Sequence, residues 1–552
     1  MSEANAERAV PYLARILQQH LIDDPEGRSW TAEGSAVFAD ISGFTQLSEQ
    51  LARRGGREGA EQITDTIGGS FAAILKVAYE KGASLLKFGG DAQLLWFQGD
   101  GHAERACTAA VRMRRELDVV GRIELPGAKV TLRMSQGVHT GLFHFFAVGT
   151  SHLEMLPTGP AWTRTVAMEH EANAGEILVS GETAALLPKD CLGESRASGV
   201  LLEGEPPGHE ASMPYIPRPN SPPDLTLHCL SPAIRAHVVG GGGASEHRPV
   251  TIAFIHYEGT DALIEQSGPA VAAEALHQLV RVVEAATEEL EVTFLGSDVD
   301  HDGGKLILTA GAPKATGDSE EHMLLALRKI VESRFSLPIR IGVHRGSVFA
   351  GDIGPPYRRT YTVMGDAVNL AARVMSKAEP GQIYATGDVL ERSNTLFDTT
   401  QLEPFAVKGK TEPIQAWSVG RASGSRNRQV SLQRLPLTGR NTELGVIRKA
   451  YTSARGGAGR LIEIIGDAGI GKTRLLEALR DAVAGFQKLH ATCEAYTSSI
   501  PYVVWRELLR EMYEFGRETP DAVVEERIRA EVATKAPDLA PWLPLLAAVF
   551  DV

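Results

Sequence analysis

Apolar and polar positions along the chain fall into two stretches with the same order. Residues 8–22 (RAVPYLARILQQHLI) carry apolar side chains at helical spacing and predict an amphipathic packing helix. A short apolar strand, AVFAD (36–40), comes next. A long helix follows, with Ile63, Ile67, Phe71, Ile74 and Ala78 on one face. A glycine turn then separates two strands in KFGGDAQLLWF (87–97). GVHTG (137–141) leads to PTGPAWTRTVAMEHEA (157–172), a turn entering a helix. After a Pro- and Gly-rich stretch the order recurs. TIAFI (251–255) precedes a helix with Leu276, Val280, Val283 and Thr287 on one face, then VDHDGGKLIL (299–308), GVHRG (342–346) and VMGDAVNLAARVMSKA (363–378).

From Phe38 to Phe254, Gly141 to Gly346 and Gly159 to Gly365 the offsets are 216, 205 and 206 residues. A nearly constant shift is what duplication with a few insertions leaves. The βα-then-ββ order predicts an α+β fold, each sheet carrying helices on one face. The expected organisation is an N-terminal helical segment (1–34), a first repeat (35–205), a linker (206–248), a second repeat (249–420), a polar linker (421–434) and a third block (435–552).

The first repeat gathers acidic chemistry. Asp40 closes an apolar strand, and Asp91 sits in a GGD turn between two strands. Two carboxylates at strand ends can hold a pair of hard cations such as Mg²⁺ or Mn²⁺. The amides of Ile41, Ser42, Gly43, Phe44 and Thr45, read as a helix start, can cradle phosphate oxygens, with Gly90 beside them in the turn. Metals, phosphates and an in-line attack make a phosphoryl-transfer site. Taken singly, Asp40 reads equally well as a helix N-cap and Asp91 as a turn residue. The second repeat offers a different set: Asn369 and Arg373, four apart, share one helix face. An amide beside a guanidinium suits ribose orientation and charge stabilisation on phosphorus.

VFADISGFT and LLKFGGDAQLLWF resemble the two metal motifs of class III adenylyl and guanylyl cyclases, in particular the bicarbonate-responsive soluble adenylyl cyclases and their bacterial relatives. MGDAVNLAARVM (364–375) resembles their N-x-x-x-R pair, and VKGKTEP (407–413) their phosphate-binding lysine loop. The resemblance implies two ferredoxin-like cyclase domains packed head-to-tail as a pseudo-heterodimer. It implies Asp40 and Asp91 as ligands of both metals, with the Ile41 carbonyl, and Lys408 on the triphosphate, Lys410 being the alternative.

Aligned on strand starts, Asp40 faces His256 and Asp91 faces Gly303, while Asn369 faces Thr163 and Arg373 faces Ala167. Each repeat lacks what the other keeps, so one composite site is expected, with a degenerate mirror site that can take a regulator. Lys87 matches the bicarbonate position of the family, and Arg164 lies two residues from the place of its arginine partner. The resemblance implies that the base is read by Thr362 and by an acidic residue in VDHDGG, Asp300 or Asp302. A carboxylate only accepts hydrogen bonds, which suits guanine, whereas the general likeness favours ATP. The expected activity is therefore conversion of ATP to cyclic AMP and pyrophosphate. A guanylate cyclase and a non-catalytic nucleotide-sensing module are the alternatives.

LIEIIGDAGIGKTRLLEAL (461–479) reads as strand, GxxxxGKT loop and helix, a P-loop for a second nucleotide held by Gly466, Gly471, Lys472 and Thr473. No Walker B strand follows; LLAAVFD reads as a helix after Pro544, so a partial α/β P-loop NTPase domain, truncated within its sheet, is expected. The chain's net charge of −13 speaks against a nucleic-acid partner. Its four cysteines are scattered and no apolar run nears the roughly 20 residues of a membrane span. Without a signal-peptide pattern, a cytoplasmic location is expected.

Overall fold

The structure, a computed structural model, describes residues 3–43, 56–89, 92–125, 128–207, 222–242, 245–314, 318–407, 413–425, 439–466, scattered positions from 472 to 515, and 521–550. It divides into two units, residues 1–426 and 427–552.

The first unit holds two eight-stranded sheets of the same design. Strands β1 (Ser29–Ser42), β2 (Ser84–Gly89), β3 (Ala92–Gln98), β4 (Arg122–Leu125), β5 (Ala128–Thr131), β6 (Arg133–Val148), β7 (Glu154–Pro157), β8 (Ile177–Val179), β9 (Leu192–Ser195) and β10 (Val200–Leu202) belong to the first repeat. The second has β11 (Glu246–Glu258), β12 (Thr293–Asp300), β13 (Gly303–Ala310), β14 (Ile339–Ile353), β15 (Thr360–Met364), β16 (Ile383–Thr386), β17 (Thr395–Gln401) and β18 (Ala416–Ser425). The orders are β2-β3-β1-β6-β8-β10-β9 and β12-β13-β11-β14-β16-β18-β17, with β7 on β6 and β15 on β14. Only the small β4–β5 hairpin lacks a counterpart among the described residues. The duplication read from the offsets is thus a duplication of topology.

Alternation along the central strands explains their unbroken apolar runs. In β1, Val37 and Ala39 face the repeat's own helices, Gly56–Glu80 and His102–Val120, whereas Ala36 and Phe38 face the other repeat. A strand buried on both faces needs no polar alternation. The core between the repeats joins Phe38, Leu94, Trp96 and Trp162 to Val250, Ile252, Phe254 and Val363. Each repeat also lends a hairpin to the other's core: Phe146, Val148 and Leu156 enter the second, and Phe349, Ile353 and Met364 enter the first. This reciprocal exchange is the expected head-to-tail arrangement.

Three expectations need correction. The helix expected over 8–22 is broken. Glu3–Ala9 is helical, Val10–Tyr12 is a 3₁₀ turn, and the helix resumes over Arg15–Asp23. Pro11 lacks the N–H that a continuous helix requires, and the break turns Leu13 and Leu17 into the shared core. The stretch 206–248 is not merely a linker. Helices Pro223–His228 and Pro232–Val239 lie within it, and Leu227, Ile234 and Val238 are buried against the N-terminal helices and both repeats. Finally, β1 begins at Ser29 and continues to Ser42, so Asp40 lies inside the strand and does not close it.

The second unit contains helices Asn441–Arg455, Val503–Met512, Asp521–Lys535 and Leu543–Phe550, the last as Pro544 suggests. Its small core is Val524, Ile528, Val532 and Phe550. The strand expected at 461–466 is absent: those residues have no regular structure, and Leu461 and Ile465 are 98% and 83% exposed. A P-loop strand is a central parallel strand, and the described residues of this unit provide no neighbour for it to pair with.

Candidate active site

Asp40 is half-buried near the end of β1, where its ladder partners are Ala92 and Ser135. Asp91 lies outside the described residues, as do Phe44, Thr45 and Gly90, but its chain neighbour Ala92 is the residue directly across from Asp40. The β1–β6 ladder runs on through Ile41 and Ser42, paired with Met134 and Arg133. Ile41 and Ser42 are therefore strand residues, not the helix-start amides expected, and the Ser42 hydroxyl donates to the Arg133 carbonyl at 3.2 Å. Gly43 then turns the chain at φ 92°, a conformation that favours glycine. A carboxylate at Asp40 and a strand carbonyl at Ile41 are hard oxygen donors, which fits Mg²⁺ or Mn²⁺.

The second set is carried by a strand, a glycine and a helix. β15 brings Thr362, Gly365 turns at φ 139°, and the helix Asp366–Lys377 presents Asn369 and Arg373, both half-buried, on one face. The helix lies directly on β14 because Gly342 has no side chain: a Cβ there would sit 2.0 Å from the Met375 nitrogen. Gly137 has the same role under the helix Pro160–Glu171, which is why the GVH-x-G pattern occurs twice. Lys408 and Lys410 lie outside the described residues. The preceding Val407 packs with Leu370 and Val374, the residues following Asn369 and Arg373 on that helix.

A family model for the adenylate and guanylate cyclase catalytic domain matches residues 31–213 and 243–420. The chain belongs to this cyclase family. A model for the AAA ATPase domain matches residues 436–548. The chain is 25% identical over 499 residues to adenylate cyclase type 10 of Homo sapiens, a match taking in 80% of this chain and 30% of that protein. For the Mus musculus protein the figures are 24% over 426 residues, 69% and 26%. The chain thus spans under a third of the length of these relatives. Among solved structures, a class III adenylyl cyclase-like ATP-binding protein from Pseudomonas aeruginosa is 12% identical, with 71% of this chain and 93% of that chain covered and a TM-score of 0.47. The adenylyl cyclase CyaB from P. aeruginosa is 20% identical, with 32% and 97% covered and a TM-score of 0.29.

The ladders of the two cyclase domains superpose residue for residue. Phe38 pairs with Leu94 and Gly137, and Phe254 with Ile307 and Gly342. On this register Asp40 corresponds to His256 and Ala92 to Lys305, which moves the counterpart of Asp91 from Gly303 to Gly304. The helices Pro160–Glu171 and Asp366–Lys377 have equal length, so Thr163 corresponds to Asn369 and Ala167 to Arg373. The mirror corner sets a lysine and a histidine around Asp300. Lys305 Nζ lies 3.0 Å from Asp300, and His256 Nε2 lies 3.4 Å from the same carboxylate. Burial pulls the His256 imidazole down to about 4 despite Asp300 beside it. An imidazole and a glycine thus stand where the first domain has Asp40 and Asp91.

Asp302, a candidate for base reading, belongs to this mirror corner. Its N–H donates to Thr163 Oγ1 at 3.0 Å, and its carboxylate accepts from the Asp261 N–H at 3.0 Å. Thr362 instead lines a cavity of about 120 Å³ between the domains, with Lys87, Glu154, Gly296, Ser297 and Arg358. The structure therefore does not bring Asp302 to Thr362. On β12 the counterpart of Lys87 is Gly296, because both strands carry a bulge at the same place, Leu85/Lys87 and Phe294/Gly296. Sequence offsets alone cannot reveal such a bulge.

Lys87 is engaged from within. Its Nζ donates to Glu154 Oε1 at 2.5 Å and Ser297 Oγ at 2.8 Å. Burial raises the Glu154 carboxyl, but Lys87 and His152 outweigh that and hold it well below the usual range. Burial lowers His152, yet Glu154 and Glu284, 3.6 and 3.0 Å away, bring it up to about 9. Arg164 is exposed and paired with Glu182, away from this cluster. In the ATPase-like unit, Lys472 Nζ donates to the Gly466 carbonyl at 2.7 Å; Gly471 and Thr473 lie outside the described residues. Among the described residues no helix is long and apolar enough to cross a membrane.

Proposed function

We propose that the chain is an adenylate cyclase with one composite site. The observation that carries this reading is the complementary loss. Asp40 and Asp91 have no counterparts in the second domain, and Asn369, Arg373 and Lys408 have none in the first. In the reaction the ATP 3′-hydroxyl oxygen bonds to the α-phosphorus as the bond to the bridging oxygen breaks, giving cyclic AMP and pyrophosphate. Two Mg²⁺ or Mn²⁺ ions, when bound, supply Lewis-acid stabilisation of the hydroxyl and phosphates. Asp40, Asp91 and the Ile41 carbonyl would hold them. Asn369 orients the ribose, Arg373 stabilises the charge that develops on the transferring phosphorus, and Lys408 holds the triphosphate. ATP is favoured over GTP by the kinship with adenylate cyclase type 10 and by Thr362 in the interdomain cavity.

Purified protein given ATP or GTP with Mg²⁺ or Mn²⁺ is expected to form cyclic AMP from ATP. Cyclic GMP as the main product would convert the assignment to a guanylate cyclase, and neither product under either metal would end the cyclase reading. Bicarbonate, the regulator suggested by Lys87, would have to displace Glu154, so activity is expected to stay flat across bicarbonate at fixed pH. The AAA-like unit is proposed to bind a second nucleotide through Gly466, Gly471, Lys472 and Thr473. Lys472→Ala is expected to remove one nucleotide per chain in equilibrium binding, and unchanged stoichiometry would reject that site.

A further inference from the structure

The β2 strand ends at Gly89, two residues before Asp91 in the chain, and its bulge leaves Leu86 without a ladder partner. Arg358, from the loop between β14 and β15, fills this gap. Its Nε donates to the Leu85 carbonyl at 3.2 Å and its Nη2 to the Leu86 carbonyl at 3.1 Å. The same guanidinium reaches the N-terminal segment, where Nη1 donates to Pro11 O at 3.3 Å and Tyr12 O at 3.0 Å, and it closes on its own loop at Arg359 O, 2.7 Å. Arg358 is 4% exposed and lies over the Phe88 ring. Four residues later in the chain comes Thr362, and beyond it the helix with Asn369 and Arg373.

The N-terminal segment is secured around this point by further contacts. The Arg359 N–H donates to Pro11 O at 2.8 Å, Tyr12 Oη to Asp352 Oδ1 at 2.9 Å, and Arg8 Nη1 to Val239 O at 2.7 Å. The mirror bulge is treated differently. At Phe294/Gly296 the Ser231 hydroxyl takes the Phe294 carbonyl at 2.6 Å, while His152, the counterpart of Arg358, lies 3.0 Å from Glu284. Among the described residues, a guanidinium joining three chain segments stands at the β2 bulge and not at its mirror on β12.

We propose that Arg358 is a positioning residue for the composite site. It fixes β2, and with it the approach to Asp91, against the hairpin that delivers Thr362, Asn369 and Arg373, using residues 11–12 as the third point of attachment. The proposal rests on the composite-site reading. Its logic is the planar fork of five N–H donors, which a lysine ammonium cannot reproduce.

The test is Arg358→Lys in the full chain, read by amide hydrogen exchange without nucleotide and by steady-state kinetics. Exchange is expected to quicken at least tenfold at residues 12–14 and 84–89 together, with β6 and β14 unchanged. The kcat is expected to fall at least tenfold, KM for ATP to change less than threefold, and the half-saturating metal concentration to rise. Exchange changes confined to 355–361 would overturn the proposal. So would a uniform loss of protection in both sheets without a metal shift, which marks a merely structural residue. If the unaltered protein makes no cyclic nucleotide, the composite-site reading fails on its own. The exchange pattern then still decides whether Arg358 ties β2 to the N-terminal segment.

Discussion

His152 shows how a single residue can join two domains electrostatically. It is 1% exposed, in the loop that the first cyclase domain extends toward the second, and its charge is balanced by Glu154 and Glu284. Glu284 also accepts the N–H groups of Thr150, Ser151 and His152 at 2.8, 3.3 and 3.2 Å. Because His152 is raised from 6.5 to about 9, its contribution to stability is full below pH 6.5 and is lost as the pH climbs through 9. That contribution is on the order of 3 kcal/mol as an upper bound. The melting temperature of the cyclase unit is therefore expected to fall between pH 6.5 and 9.5, and His152→Gln to flatten that fall while lowering stability at pH 6.5. A pH slope identical in the variant would assign the effect elsewhere. None of this was legible in sequence, since His152 and Glu284 are 132 residues apart and meet only through the exchange of hairpins.

Strands and helices were more legible than the connections between them. The repeated AVFAD and TIAFI runs, the GVH-x-G pattern and the two glycine-led helices all form the elements they suggest, because burial on both faces and close helix–strand packing impose strict composition. Gly342 is the sharpest case. Gly342→Ala is expected to push the helix Asp366–Lys377 off β14, costing about 1–3 kcal/mol and lowering kcat more than tenfold through Asn369 and Arg373. Near-normal turnover in a variant of reduced melting temperature would show that the helix register does not control the site. What sequence misread has physical causes. Pro11 divides one amphipathic pattern into two helices, a Pro- and Gly-rich connector still buries Ile234 and Val238, and paired bulges on β2 and β12 shift the counterpart of Lys87 to Gly296. Asp302, held by Thr163 and Asp261, lies apart from Thr362. A Gly296→Lys variant would place an amine donor in the cavity with Thr362, and is expected to raise the ATP-over-GTP ratio of kcat/KM by about tenfold. An unchanged ratio would mean the base lies elsewhere.

At the scale of the whole molecule, duplication followed by complementary loss explains why the two halves are so alike in ladder and so unlike in chemistry. The two sheets keep the same order and the same bulge, yet Asp40 is answered by His256, Ala92 by Lys305, Asn369 by Thr163 and Arg373 by Ala167. The mirror corner, neutralised by Lys305 and Asp300, should carry no turnover of its own. The decisive measurement is cyclic AMP formation from ATP by the unaltered chain, Asp40→Ala, Arg373→Ala and His256→Asn under one set of conditions. A single composite site predicts loss of at least a hundredfold in the first two variants and activity within threefold in His256→Asn. Full activity in Asp40→Ala or Arg373→Ala, or a comparable collapse in a well-folded His256→Asn, would contradict it.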